Sequence, residues 1–406
     1  MNKRLLFSIF LIVFIDLLGF SLILPLLPFY AETFGASPTT IGLLVAIYAA
    51  MQFIGAPILG RLSDRYGRRP MLILSIFGTF LSFLLMGFTH NLAVLFLARG
   101  LDGLTGGNIS IAQAYISDVT DEKNRSRGLG IIGAAFGFGF IIGPALGGVL
   151  SRWGYNLPVF IAAGMALINL ILIFFWLPES LTPQRRQLLM AGKRASFTPG
   201  ALWQALRRPK VGPLLHSRFF FGLVFSTFQS IFTLYAQYRF NLDAQRIGYI
   251  LAYVGILSAV TQGVILGRLT IRFSENRLMA GASVILAISL LGWAFAPNIG
   301  VLLAILAPIS ITSGVLNTVI NSAITKSVSP AEIGGTLGLS TALESMTRVI
   351  APSLSGILLE RLGTPAPGIF SAVLMFGLTT YIWRHLWSDR STSLPMADKM
   401  PATENE

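Results

Sequence analysis

Residues 60–70 read Gly-Arg-Leu-Ser-Asp-Arg-Tyr-Gly-Arg-Arg-Pro, with a long apolar run on each side. Four arginines cannot sit in hydrocarbon, so this stretch reads as a short loop at a membrane surface. Short loops rich in Lys and Arg stay on the cytoplasmic side. The loop therefore sets an orientation for everything around it.

The rest of the composition agrees. The chain has 406 residues, 54% of them hydrophobic and 12% charged, with a mean hydropathy of +0.72. A soluble domain carries about 25% charge. The missing charge and the repeated apolar runs of about 20 residues predict an all-α, multi-pass membrane protein. The runs are continuous rather than alternating, which argues against a β-barrel. Leu5 to Tyr30 is too long for a signal-peptide core and has no cleavage pattern, so it reads as the first segment. With no cysteine, disulfides and thiolate metal sites are excluded.

Hydropathy divides the chain into twelve segments: 5–30, 38–62, 70–89, 91–117, 126–151, 156–178, 212–240, 246–272, 277–297, 299–326, 333–361 and 366–388. The net charge of +13 is unevenly spread over them. With the N-terminus inside, cytoplasmic stretches hold 23 of the 30 Lys and Arg residues. External loops hold Arg152, Arg239, Arg246 and Arg361, and three more (Arg99, Arg218, Arg348) fall inside segments. This asymmetry is the positive-inside rule, so the basic charge needs no nucleic-acid partner. Both termini are expected in the cytoplasm and the chain in the inner, plasma membrane.

The longest polar stretch, 181–211, separates residues 1–180 from 212–388, six segments each, and a polar tail follows at 389–406. The halves echo one another. Pro144, Leu146, Gly148 and Leu150 recur as Pro352, Leu354, Gly356 and Leu358, a shift of 208. Gly60-Arg-Leu recurs as Gly267-Arg-Leu, although the position of Asp64 is then taken by Ile271.

Four motifs carry a resemblance to a known family. Residues 60–69 fit the pattern G-x-L-x-D-R-x-G-R-[KR], found between helices 2 and 3 of the major facilitator superfamily. Leu18 to Pro28 resembles the first-helix motif of the 12-helix drug:proton antiporters within it. Gly139-Phe-Ile-Ile-Gly-Pro-Ala-Leu-Gly-Gly148 resembles their antiporter motif. Arg99-Gly-Leu-Asp-Gly103 is similar to R-x-x-Q-G, with Asp102 in place of Gln. The resemblance covers essentially the whole chain. It implies the major facilitator fold, two six-helix bundles around a central site. It also implies a monomer with no cofactor, no metal and no enzymatic activity, whose partners are a small-molecule substrate, protons and the bilayer.

From the same resemblance, Gly60, Asp64, Arg65, Gly67, Arg68 and Asp118 form a cytoplasmic gate. Asp64 is expected to accept from free N–H groups at the start of the eleventh segment. Arg65 or Arg68 is expected to pair with Asp118. Gly139, Gly143 and Gly147 share one helix face, and with Pro144 and Gly148 they predict a tight interface with the eighth segment.

Buried charge marks the coupling site. A charge at mid-membrane costs on the order of 2.5–3.5 kcal/mol on insertion scales. Asp16, Arg99, Asp102, Glu344 and Arg348 each lie well inside a segment. Arg99 and Asp102 are three residues apart and Glu344 and Arg348 four, so each pair shares a face. Carrying a proton near neutral pH calls for a carboxylate in a low-dielectric cavity without a tight counter-charge. Asp16 and Asp102 are the first candidates, with Arg99 as cationic switch. Glu344 is the third, either as a proton site or as counter-charge to a cationic substrate.

The first, fourth, seventh and tenth segments line the cavity in this superfamily. Here they offer Phe20, Asn108, Gln113, Phe225, Phe228, Gln229, Phe232, Tyr235, Asn317 and Asn321, a set suited to an amphipathic organic compound. His90, His216 and His385 are scattered and have no metal-ligand spacing. No Walker-type phosphate loop is present, which argues against ATP-driven transport.

Among the antiporters the first half most resembles the tetracycline exporters, through Tyr115-Ile-Ser-Asp118 and Leu177-Pro-Glu-Ser180 as well. Those exporters also carry acids in the third and ninth segments. Here Ser82 stands near the first of these positions, and Arg277 to Pro297 has no acid. A metal–tetracycline substrate would lack two carboxylates. The expected function is proton-coupled export of a small amphipathic compound or drug. Uptake or facilitated diffusion of a metabolite on the same fold is the alternative.

Overall fold

Asparagine, aspartate and serine side chains cap the starts of five long helices. In the computed structural model, which describes residues 3–182, 184–187, 199–329 and 332–387, Ser37, Asn91, Asp121, Asp243 and Asn298 each accept a backbone N–H three residues on. The expected tail 389–406 and residues 188–198 of the expected linker lie outside the described residues.

No strand occurs among the described residues. The helices of the first part are α1 (Lys3–Ile23), α2 (Leu27–Glu32), α3 (Pro38–Tyr66), α4 (Arg68–Gly87), α5 (Leu92–Thr105), α6 (Asn108–Val119), α7 (Glu122–Leu150) and α8 (Asn156–Trp176). A short α9 (Pro199–Leu206) falls within the expected linker. Then follow α10 (Gly212–Phe240), α11 (Ala244–Val260), α12 (Leu266–Arg272), α13 (Glu275–Ala294), α14 (Ile299–Lys326), α15 (Ile333–Leu362) and α16 (Ala366–Ile382).

Three expected segments are interrupted. The first breaks at Leu24-Pro25-Leu26, where Pro25 has no N–H for the helical ladder. The fourth breaks at Gly106-Gly107, leaving helices of 14 and 12 residues. There α3 comes so close that a Cβ on Gly107 would lie 2.7 Å from Leu59 Cβ, and Gln52 donates to the Gly106 carbonyl at 3.2 Å. The eighth carries a π-helical turn, Thr261–Ile265, between α11 and α12.

Ten helices among the described residues are long and apolar enough to cross a membrane. The split fourth segment and α15 are not among them. α15 is long enough at 30 residues, but Glu344 and Arg348 lower its hydropathy.

The sequence repeat reappears as a repeated contact. α3 packs along α15, and α7 along α11. A Cβ on Gly42 would strike the Pro352 carbonyl oxygen, and one on Gly248 would strike that of Pro144. A Cβ on Gly356 would meet Pro38 and Thr39 at the start of α3, and one on Gly148 would meet Ala244 and Gln245 at the start of α11. The Pro-x-x-x-Gly units of α7 and α15 thus seal two equivalent crossings at one end of the molecule.

That end is also closed by polar contacts. Glu32 accepts from Gln237 at 2.6 Å and from Tyr238 at 2.8 Å. The Thr39 amide donates to Glu360 at 2.8 Å. At the opposite end of the α3–α15 crossing, Gly60, Gly334, Gly335 and Gly338 face nothing within 4 Å. The contacts therefore seal the end away from the arginine loop.

Candidate functional site

Two polar clusters lie within the helices. In the first, Asn108, the opening residue of α6, donates its amide to the Asp16 carboxylate on α1. Arg99 pairs with Asp102 at 3.0 Å, and both are almost fully buried. Thr79 of α4, also buried, lies beside Asp102. The Arg99 guanidinium lies 4.3 Å from the centroid of the Tyr48 ring, a cation–π contact. The Tyr48 hydroxyl accepts from Gln52 at 3.0 Å, and its ring leans on Phe20 at 5.4 Å. Phe20, one turn after Asp16, thus meets Tyr48, which meets Arg99 and through it Asp102, so both carboxylates belong to one cluster. Five residues named from the sequence, Asp16, Phe20, Arg99, Asp102 and Asn108, therefore share one site. Gln113 is exposed, one turn before Ser117, which donates to its carbonyl.

The second cluster is larger than the expected Glu344–Arg348 pair. Arg348 donates to one Glu344 oxygen at 2.7 Å. Arg218 of α10 ion-pairs with the other, and its NH1 donates to Asn317 at 2.6 Å. A cavity of about 500 Å³ opens beside Arg218, Asn321 and Glu344. Tyr48 of α3 belongs to the first cluster, and α3 packs along α15, which carries Glu344 and Arg348 of the second.

The aromatic lining expected from α10 is corrected in part. Phe228, Phe232 and Tyr235 are buried away from the cavity. Trp293 of α13 draws them in: its ring lies 5.0 Å from that of Phe228 and 4.8 Å from that of Tyr235, whose hydroxyl donates to the Trp293 carbonyl. Phe232 packs on Phe228 at 5.5 Å. Phe225 and Gln229 remain exposed.

In the arginine loop, Arg68 rather than Arg65 holds Asp118. Its Nε lies 2.9 Å from Asp118 and its NH1 2.7 Å from Asp64, while Ser63 accepts a further bond from it. Arg65 is exposed and lies over Tyr66. Gly67 has φ +115°, a conformation that favours glycine, and turns the chain from α3 into α4. Glu179 caps that turn: its two carboxylate oxygens accept the Arg68 and Arg69 amides at 2.9 and 3.1 Å. The start of the eleventh segment, where Asp64 was expected to bind, follows residues 330–331, which lie outside the described ones.

The antiporter motif needs a second correction. The Gly139, Gly143 and Gly147 face packs on α1 rather than on the eighth segment. Cβ atoms there would meet Leu17, Ser21 and Leu22 respectively, and Ser21 donates to the Gly139 carbonyl at 2.8 Å. The eighth segment, as α11, packs on the adjoining face through Phe140, Ile141, Pro144 and Gly148, and it brings its own Gly248 and Gly255.

Sequence reasoning missed Tyr48, Gln52, Thr79 and the roles of Glu179 and Arg218. Of these only two gave a signal, Glu179 within the Leu177–Ser180 run and Arg218 as a charge inside a segment. His216 and His385 are not scattered either: His216 bonds the Tyr381 hydroxyl at 3.0 Å, and the His385 ring stacks on Tyr381. No group of His, Cys, Asp and Glu with metal-site geometry occurs among the described residues.

Comparison with known proteins places this architecture. The family model described as Major Facilitator Superfamily matches residues 9–265 and 214–395. The tetracycline resistance protein, class H, of Pasteurella multocida is 34% identical over 360 residues, which are 87% of this chain and 88% of that protein. Multidrug resistance protein 2 of Bacillus subtilis (strain 168) is 29% identical over 387 residues, 93% and 94% of the two chains. Among solved structures, a bacterial homolog of the human lysosomal transporter Spinster superposes with a TM-score of 0.77 at 14% identity, covering 97% of this chain and all of the other. The chain belongs to the major facilitator superfamily and is a multi-pass integral membrane protein.

Proposed function

We propose that this major facilitator chain is a proton-coupled antiporter that exports a small amphipathic organic compound. The relatives named for tetracycline and multidrug resistance support the transport class and its direction. One observation in this chain carries the coupling: two carboxylates, Asp16 and Asp102, belong to one cluster with a single buried arginine. Arg99 balances one negative charge. Binding one proton removes the other, and only then is the cluster neutral.

The cycle follows from that balance. Open outward, Asp16 or Asp102 takes a proton and substrate leaves. The neutral cluster tolerates the low-dielectric closed state, and residues 1–180 and 212–388 rock about the central site to face inward. On the inside the proton is released as substrate binds. The 181–211 linker, the 389–406 tail and both termini stay in the cytoplasm of a bacterial cell, and the protein works as a monomer in the inner membrane. The Asp64–Arg68–Asp118 cluster acts as the cytoplasmic gate, holding the loop rigid for its return contact with the second half. Each charge moved across 100 mV yields about 2.3 kcal/mol, enough for more than a tenfold substrate gradient.

The test is reconstitution in liposomes holding a pH-sensitive dye, with fluorescent drugs added under an imposed pH gradient. Wild type should show drug-dependent proton flux, and Asp16→Asn or Asp102→Asn should lose it. Drug movement indifferent to pH and to both substitutions would refute the coupling and leave a passive facilitator.

A further inference from the structure

The two clusters carry opposite charge. The first has two carboxylates against one arginine, and the second has two arginines against one carboxylate. A cationic substrate would find no partner in the second. Both oxygens of Glu344 are already held by guanidinium groups, and a cation there would face two like charges.

The second cluster instead has donors to spare. Arg218 is 5% exposed, and its Nε has no partner, although its NH1 and NH2 are both engaged. A buried donor without an acceptor is costly, and the residue that carries it lines a cavity of about 500 Å³. Of the nine residues lining that cavity only Leu337 is apolar. Thr318, Thr325 and Thr341 spend their hydroxyl protons on carbonyls of their own helix. Among the described residues Asn321 and Ser340 make no such bond, so an amide and a hydroxyl are left as donors beside Arg218. Arg348, with 59% of its side chain exposed, stands one turn beyond Glu344 and reaches the Glu344 oxygen that Arg218 leaves free.

We propose that Arg218 and Arg348 bind an oxyanion of the substrate, a carboxylate, phenolate or sulfonate, and that Glu344 occupies the two guanidinium groups as its internal stand-in until substrate arrives. The inference rests on the exporter reading and narrows its substrate to amphipathic organic anions or zwitterions. The oxyanion takes the place of Glu344 on Arg348 and completes the unfilled donors of Arg218, Asn321 and Ser340. The apolar body of the substrate extends towards Tyr48 and Phe20. Guanidinium suits this exchange because its planar fork accepts one carboxylate in place of another without changing shape.

Equilibrium binding to the protein in lipid nanodiscs tests this, with radiolabelled 2-naphthoate as the anionic probe and tetraphenylphosphonium as the cationic one. Arg348→Gln should weaken naphthoate binding by about tenfold or more, the ratio for one lost charge-assisted hydrogen bond. Arg348→Lys should restore part of it. Glu344→Gln should strengthen naphthoate binding several-fold, because it removes the competitor; a merely structural ion pair would give no gain. Naphthoate that fails to bind wild type, or that binds all variants alike, overturns the proposal. Export of tetraphenylphosphonium without naphthoate binding overturns it too, while leaving the exporter reading intact. Naphthoate binding with this variant pattern, but without proton coupling, supports the site and refutes the antiport.

Discussion

Gly356→Ala should shift the protein away from its sealed conformation without unfolding it. At the α3–α15 crossing a Cβ on Gly356 would press on the Pro38 carbonyl oxygen and lie 3.1 Å from both Pro38 C and Thr39 Cα. These are backbone atoms of a neighbouring helix, so no side chain can turn aside. Forcing an extra methyl into such a contact costs about 1–3 kcal/mol. Alanine also favours a helix over glycine by roughly 0.5–1 kcal/mol, but it does so in both conformations and cancels from their difference. A net penalty of about 2 kcal/mol moves the inward–outward equilibrium by roughly thirtyfold. The chain has no cysteine, so an introduced pair reports alone. Glu32→Cys with Gln237→Cys spans the seal, where the native side chains meet at 2.6 Å. Where the two conformations start equally populated, the sealed fraction falls from about 50% to about 3%, so crosslinking by a short bifunctional thiol reagent should slow by roughly fifteenfold when Gly356→Ala is added. Gly143→Ala is the control: its Cβ would meet Ser21 and Leu22 of α1, a contact inside the first half that both conformations share. It should lower thermal stability and leave crosslinking unchanged. Equal crosslinking with and without Gly356→Ala would show that the α3–α15 crossing is not a gate.

Asp102→Asn leaves Arg99 buried beside Tyr48 without its counter-ion, and breaking a buried pair from one side costs about 3–5 kcal/mol. Its Tm in detergent should fall clearly, and Arg99→Gln added to it should recover most of the loss; no recovery would mean that the pair is not the source of the cost. Arg68→Lys keeps the charge but cannot reach Asp64, Asp118 and Ser63 together, so it should lower export and stability. Arg65→Lys, at an exposed position, should stay within about 0.5 kcal/mol of wild type in the same melting assay.

What the sequence revealed follows what leaves a trace in residue type. Apolar runs, arginine placement and the internal repeat are one-dimensional signals, and the helices and the arginine loop were legible from them. Asp118 could be matched to Arg65 or Arg68, but choosing between them needed the fold, because only Arg68 stands where the α3–α4 turn faces Asp118. The aromatics of α10 misled because a helix hydrophobic on every side does not say which side meets a neighbour. Trp293, some sixty residues further on, decides that Phe228, Phe232 and Tyr235 are core. Arg218 lies only six residues inside α10, so depth along the segment undervalued it, and its contacts with Asn317 and Glu344 are set by α14 and α15. Tyr48 and Gln52 carry no charge, and nothing in the chain advertises them.

The interruptions that the hydropathy pattern hides also place the chemistry. A continuous fourth helix would carry Asn108 round by 100° per residue from Asp102, to a direction fixed by that register alone. The Gly106-Gly107 break restarts the helix at Asn108 and brings its amide to Asp16 on α1, while Asp102 stays with Arg99 and Thr79. The two carboxylates come from different helices, α1 and α5. Irregular backbone at membrane depth survives only where protein, not lipid, surrounds it. Here Gln52 and Leu59 of α3 cover the break and occupy the space that a side chain on either glycine would need. Filling in the two glycines would make a better helix and, by the same step, separate Asn108 from Asp16. The break therefore sets the Asn108–Asp16 contact on which the proposed coupling site draws, and α3 keeps it out of the lipid.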